Sequence, residues 1–403
     1  MIKMSLKHKP IVAVLLAVTL AVTMLFTGCR NSNLQDTDNL SSAATDRERA
    51  TSEITTDSLA PGEQGRQPSD TRVIIDMGGR EVTVPSDVKT VVPLANALRM
   101  MCYLGLQGKV VGVEDLEKEP AVGRPYSWVY QDEFQDLPIV GQGGAGVGTP
   151  FVEEIIKLNP DVIIAGYPLE GVESLEAKTG IPVVMIETGN LFADDYDEAL
   201  SLIGEVCGAG ERAESVVGYI QEIEEDLNAR TADLPDERKP TVYAGAISFK
   251  GGHGIEGTYS DFPPFVAVHA RAVPDLPEDL ATGVIIEKEL LLTLDPEIIF
   301  MDPNNIELVK ADYERQPEFY EALSAVRGGR VYALPGFNWY YTNVELALAD
   351  CYYAGSIIFP DQFEDVDPEK KAEEIYGFLL DAPEFYADQV AAGIGFGALT
   401  VGE

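Results

Sequence analysis

From Thr71 onward the chain alternates between two hydrophobic rhythms. Short unbroken apolar runs ("TVVPL", "PDVIIAGY", "IPVVMIE", "TVYAGAIS", "DPEIIFMD") read as buried strands. Between them lie stretches with one apolar face, such as "NALRMMCYLGL", "TPFVEEIIKLN", "VIIEKELLLTL", "NVELALADCYYAGSIIFP" and "DPEKKAEEIYGFLLD", which read as helices. In "TPFVEEIIKLN" Thr149 is a predicted N-cap, with Pro150 at the first helical position. "RVIIDMGGREVTVP" alternates around Gly78-Gly79 and predicts a β-hairpin. Strands that alternate with helices imply a parallel α/β sheet.

Residues 192–232 break the alternation. Two helical stretches follow each other there, and Val216, Ile220, Ile223 and Leu227 fall on one face of the second. The α/β pattern then restarts at Lys239. One phrase occurs on both sides of this divide: "EEIIKLNPDVII" at 153–164 and "ELLLTLDPEIIF" at 289–300. Each is a helix that stops at Pro and runs into a buried strand. The expected fold is α/β, two Rossmann-like lobes joined by a long rigid helix, with a ligand cleft between the lobes and only modest closure. The expected boundaries are 71–204 for the first lobe, 205–234 for the helix and 235–403 for the second.

The preceding segments look like export and tethering. Lys3, Lys7 and Lys9 lead into an apolar run from Ile11 to Phe26, ending in "LFTGC". This resembles a bacterial lipobox, with Phe26 where Leu is usual, so 1–28 is an expected signal peptide and Cys29 the expected lipidation site. Residues 29–70 hold little apolar material and read as a disordered tether. Whether the leader is cleaved at Cys29 or stays as an uncleaved N-terminal anchor, the remaining chain is expected outside the cytoplasm, on the outer face of the cytoplasmic membrane. A net charge of -38 argues against nucleic-acid binding. Cys102, Cys207 and Cys351 are odd in number and sit in apolar contexts, so they read as small buried hydrophobes.

Taken together, "IIDMGGREVTVPSDVKTVVPL", "KVVGVED", "LNPDVIIAGY", "LDPEIIFMD" and "SAVRGGRVYALP" resemble the substrate-binding proteins of iron-siderophore, haem and cobalamin ABC importers, over about residues 71–403. "GRPYSW", "KGGHGIEGTYSDFPPF" and "YYTNVELALADCYYAG" are similar to the iron-transporter subgroup. The resemblance implies capture of an iron chelate, haem or corrinoid, with no cofactor of the protein's own. The implied partners are an ABC permease dimer with its ATPase subunits, the metal-chelate ligand, and the membrane through Cys29. It also implies one docking glutamate per lobe, Glu153 and Glu289, with Glu154 and Glu287 adjacent. A two-fold permease dimer offers two equivalent receptor sites, which suits a carrier with one anion on each lobe.

In open α/β sheets ligands bind beyond the carboxyl ends of the strands. The first lobe places Asn96, Arg99, Arg124, Tyr126 and Tyr167 in such loops, and the second places Lys250, His253, Tyr259, Trp339, Tyr340 and Tyr341. The aromatics suit a large, partly flat ligand, and Arg124 and Lys250 favour an anionic one. "GQGGAGVG" lacks the Lys-Ser/Thr ending of a phosphate loop and reads as a rim loop. His253 and His269 are the only histidines beyond the leader, too few for a free zinc or manganese site. A bare ferric site from Tyr126, Tyr259, Tyr340 and His253 stays as a second reading, and a ligand-presenting sensor as a third. No GxSxG, HExxH or clustered-carboxylate motif points to an enzyme.

Overall fold

The computed structural model describes residues 70–144, 148–189, 191–259, 261–275 and 283–402. Cys29, the leader and the tether lie outside the described residues, as do 145–147 of the glycine-rich loop. The predicted hairpin is present: β1 (Thr71–Ile75) pairs antiparallel with β2 (Glu81–Pro85). Gly79 turns the chain at φ 74°, a conformation open to glycine at little cost.

Both lobes have the same sheet. In the first, β3 (Val91–Leu94), β7 (Val162–Ala165) and β8 (Val183–Met185) run parallel in that order. Every residue of these strands is buried, as expected where helices cover both faces. Beside β3, β4 (Val113–Glu114), β5 (Ile139–Gln142) and β6 (Thr149–Pro150) form a smaller sheet. In the second lobe β9 (Thr241–Gly245), β13 (Ile298–Met301) and β14 (Val331–Ala333) repeat the order and sense of β3, β7 and β8. Two further strands extend that sheet: β11 (Arg271–Ala272) beside β9, and β15 (Gly397–Ala398) beside β14. β10 (Gly257–Thr258) and β12 (Val284–Ile285) pair separately.

The repeated phrase encodes one closure made twice. Each copy is a seven-residue helix, Val152–Leu158 or Lys288–Leu294. Each helix stops at a left-handed residue, Asn159 at φ 46° and Asp295 at φ 37°. Asn and Asp tolerate that region better than other residues with a Cβ, and the Pro that follows cannot continue a helix. The acid after Pro ties the turn to the first strand of its own lobe. Asp161 N–H donates to Thr90 O (3.0 Å) and Glu297 N–H to Thr241 O (2.9 Å). The acids answer with their side chains: Asp161 accepts from the N–H groups of Lys89 and Thr90, and Glu297 from that of Thr241.

Two helix starts differ from expectation. Thr149 and Pro150 belong to β6, paired with Gln142 and Gly141, so the helix begins at Val152 with Phe151 at its N-cap. Val284 and Ile285 likewise pair with Thr258 and Gly257, which delays the second helix to Lys288.

Helix Asp194–Cys207 is followed, after Gly208 at φ 75°, by the 22-residue helix Gly210–Thr231. At 1.5 Å per residue the latter spans about 33 Å. Its buried stripe contains the four residues read from the sequence. It does not join the lobes alone. Helix Val344–Ile358 is buried along nearly its whole length and bonds to the first lobe. The Tyr103 hydroxyl donates to Glu345, Tyr130 donates to Leu380 O (2.7 Å), and Arg212 reaches Tyr103 O (2.9 Å). Cys102, Cys207 and Cys351 are free and buried in this shared core.

Candidate functional site

Beyond the carboxyl ends of β9, β13 and β14 lies a cavity of about 780 Å3. Loops of the second lobe, 247–251, 302–304 and 335–341, make most of its wall, while Leu116 and Gly144 come from the first lobe. Five residues expected at the site meet here: Lys250, Tyr259, Trp339, Tyr340 and Tyr341. Phe249, Phe262 and Phe337 extend the aromatic wall, with Tyr259 and Phe262 stacked at 6.3 Å and Phe262 and Phe337 tilted at 5.6 Å. Tyr259 is held by Asn338, whose amide donates to its hydroxyl (3.2 Å). Trp339 is 44% exposed and Lys250 stands open to solvent.

Tyr340 spans the lobes. Its ring lines the cavity, and its hydroxyl donates to Glu114 at the end of β4. Glu114 also accepts from Ala95 N–H (3.1 Å) and from the Tyr167 hydroxyl (3.3 Å). Burial pushes its carboxyl up to about 7, against the pull of the three donors and with the Glu117 charge adding to the rise. Tyr340 and Tyr341 both have positive φ, 54° and 68°, a conformation that costs residues with a Cβ about 1–2 kcal/mol each. Arg99 holds this loop from behind. Its guanidinium donates to Tyr340 O (2.5 Å) and Asn343 Oδ1 (3.1 Å) and lies over the Tyr126 ring (4.8 Å).

The other expected residues sit behind the cavity wall. Arg124 is fully buried and donates to Glu117 (2.8 Å) and to the carbonyls of Leu116 and Glu119. Tyr126 donates to the same carboxylate (2.6 Å). Arg124 therefore supports the underside of Trp339 (5.6 Å) rather than facing solvent. Asn96 precedes helix Ala97–Tyr103 and donates to Thr188 Oγ1. The His253 ring stacks on Phe249 (4.0 Å) and bonds to the Phe249 carbonyl through Nε2 (2.8 Å). Of the four residues of the bare-iron reading, Tyr259 and Tyr340 line the cavity, whereas Tyr126 and His253 do not. Among the described residues no three or more His, Cys, Asp or Glu converge as a metal site.

Asp302, which sequence reasoning missed, is the one acid among the described residues of the wall. It directly follows β13 and is nearly sealed from water, accepting from the N–H and amide of Asn304 (both 2.9 Å). Burial raises its carboxyl to about 6. Its signal was available: it closes a buried parallel strand at the carboxyl end, as Glu114 does.

Glu153 and Glu289 lie in the first turns of the two repeated helices, and both are exposed. Three positions on, Ile156 and Leu292 are also exposed, at 45% and 37%. Neighbouring Glu154 is paired with Lys157 (2.6 Å).

Residues 96–336 match the family described as periplasmic binding protein. The Iron-uptake system-binding protein of Bacillus subtilis (strain 168) is 24% identical over 270 residues, 62% of this chain and 75% of that protein. A periplasmic solute binding protein from Veillonella parvula superposes with a TM-score of 0.61 at 20% identity, covering 77% of this chain and 93% of its own. The molybdate periplasmic binding protein of a Haemophilus influenzae ABC transporter gives 0.59 at 20% identity, covering 77% and 98%. A cavity walled by loops at strand ends, between duplicated α/β lobes, is how such proteins are built. With well over half of its length matched, this chain belongs to the periplasmic binding protein family.

Proposed function

We propose that this protein captures an iron chelate or a related metal-organic ligand outside the cytoplasm and delivers it to an ABC permease. The cavity carries the reading. Its volume falls within the range of small-molecule sites, and its wall is mostly aromatic and apolar with a few polar groups. A small tetrahedral oxyanion such as molybdate would leave most of that wall unfilled and meet one cationic side chain, Lys250. The iron-uptake role named for the Bacillus relative points the same way. Native mass spectrometry of protein purified from its host, with metal analysis, tests the reading. A ferric chelate, haem or corrinoid supports it; an oxyanion or an iron-free metabolite refutes it.

Glu153 and Glu289 are the docking anions of this reading, one on each copy of the repeated helix. Cys29 is its lipid anchor. Reversing both glutamates to Lys abolishes uptake and leaves ligand affinity intact. Loss of affinity in that double variant would instead assign the pair to the binding site. Cys29→Ala releases the protein from the membrane fraction.

A further inference from the structure

Resting on the chelate reading, the charge inventory of the cavity narrows the ligand further. Among the described lining residues Lys250 is the one cation, and it stands exposed. The two arginines nearest the site are committed elsewhere: Arg99 to Asn343 and the Tyr340 carbonyl, Arg124 to Glu117 and two carbonyls. The wall also holds the buried Asp302, in a chain of net charge -38. A highly charged anion entering here would give up its hydration, face like charge, and find one cation at the rim.

Among the described residues the same wall gathers no cluster of His, Cys, Asp or Glu that could hold a bare metal. His253 faces the Phe249 carbonyl, the Tyr340 hydroxyl is held by Glu114, and Asp302 accepts from Asn304. What remains is aromatic surface with uncharged polar groups, the amides of Asn304 and Asn338 and the hydroxyls of Ser248, Tyr259 and Tyr341. We infer that the cavity takes a metal already fully coordinated by its chelator, in a complex carrying zero or one net negative charge, with uncharged oxygens on its outer surface.

Equilibrium dialysis of the purified protein against four iron sources tests this: a neutral ferric tris-hydroxamate, a ferric tris-catecholate of charge −3, haemin, and ferric nitrilotriacetate. The expected result is binding of the tris-hydroxamate at least about 100-fold tighter than the tris-catecholate, because like-charge juxtaposition and uncompensated burial weigh on the latter. Equal or tighter tris-catecholate binding overturns the charge inference and leaves the chelate reading standing. Iron retained from nitrilotriacetate with a phenolate charge-transfer band, or tight haemin binding with a shifted Soret band, overturns the saturated-metal inference. Failure of every iron source to bind overturns both the inference and the chelate reading beneath it.

Discussion

Glu114→Gln isolates the cost of holding a carboxylate at the junction of the lobes. Burial lifts the Glu114 carboxyl from its ordinary 4.5 to about 7. The folded protein therefore binds this proton more tightly than the unfolded chain does. The resulting stability is complete below pH 4.5 and is lost as pH rises through about 7. At about 1.36 kcal/mol per pH unit, the loss is on the order of 3 kcal/mol. The Gln carbonyl can accept from Tyr340 and Ala95 as Glu114 Oε2 does, and its amide can donate to the Tyr167 hydroxyl. Urea unfolding of both proteins at pH 5 and pH 8, at one ionic strength, reads the difference. The variant should gain about 3 kcal/mol relative to the parent on going from pH 5 to pH 8. Effects of Asp302 and of the overall negative charge are common to both proteins and cancel in the comparison. Parallel pH profiles for the two proteins would refute the argument, because the ionised side chain would then cost nothing to bury.

Three further outcomes follow from particular residues. Arg124→Ala leaves Glu117 buried opposite only Tyr126, and should lower unfolding stability by about 3–5 kcal/mol, measured by urea titration. Asn159→Val forces a β-branched residue into the left-handed stop of the first repeated helix and should cost about 1–2 kcal/mol, whereas Asn159→Gly should be close to neutral in the same assay. Trp339→Ala removes a half-exposed aromatic from the cavity wall. It should weaken chelate binding at least about tenfold, with little change in thermal midpoint, since truncating a large aromatic contact commonly costs 2 kcal/mol or more of binding.

The lobes, the hairpin and the repeated phrase were legible because each is written locally. A run such as "DVIIA" is apolar throughout because helices cover both faces of its strand, and Asn-Pro or Asp-Pro marks a stop whatever lies elsewhere. The rule that ligands sit beyond strand ends led to the second-lobe loops that wall the cavity, and to first-lobe loops that lie behind it. It could not choose which side chains face inward, because distant partners decide that. Arg99 turns away from the cavity to meet Asn343, 244 residues later, and Arg124 turns to Glu117, seven residues earlier and buried. Glu114 and Asp302 were passed over because an acid after an apolar run resembles an ordinary solvated end. Only the folded chain shows that water is excluded there.

The shared core bears on how cargo leaves. A carrier whose halves swing widely empties by opening its whole mouth. Here such a swing would strip helix Val344–Ile358 from the first lobe and break the bonds of Tyr103 and Tyr130. Wetting even 200 Å2 of apolar surface costs about 5 kcal/mol. Small-angle scattering of the empty and loaded protein should therefore superimpose. The cavity-wall segment 335–341 is tied into that same core, through Phe337, through Arg99 on the Tyr340 carbonyl and through Tyr340 on Glu114. Unloading is then expected from a vessel that keeps its outline, with its two halves still joined.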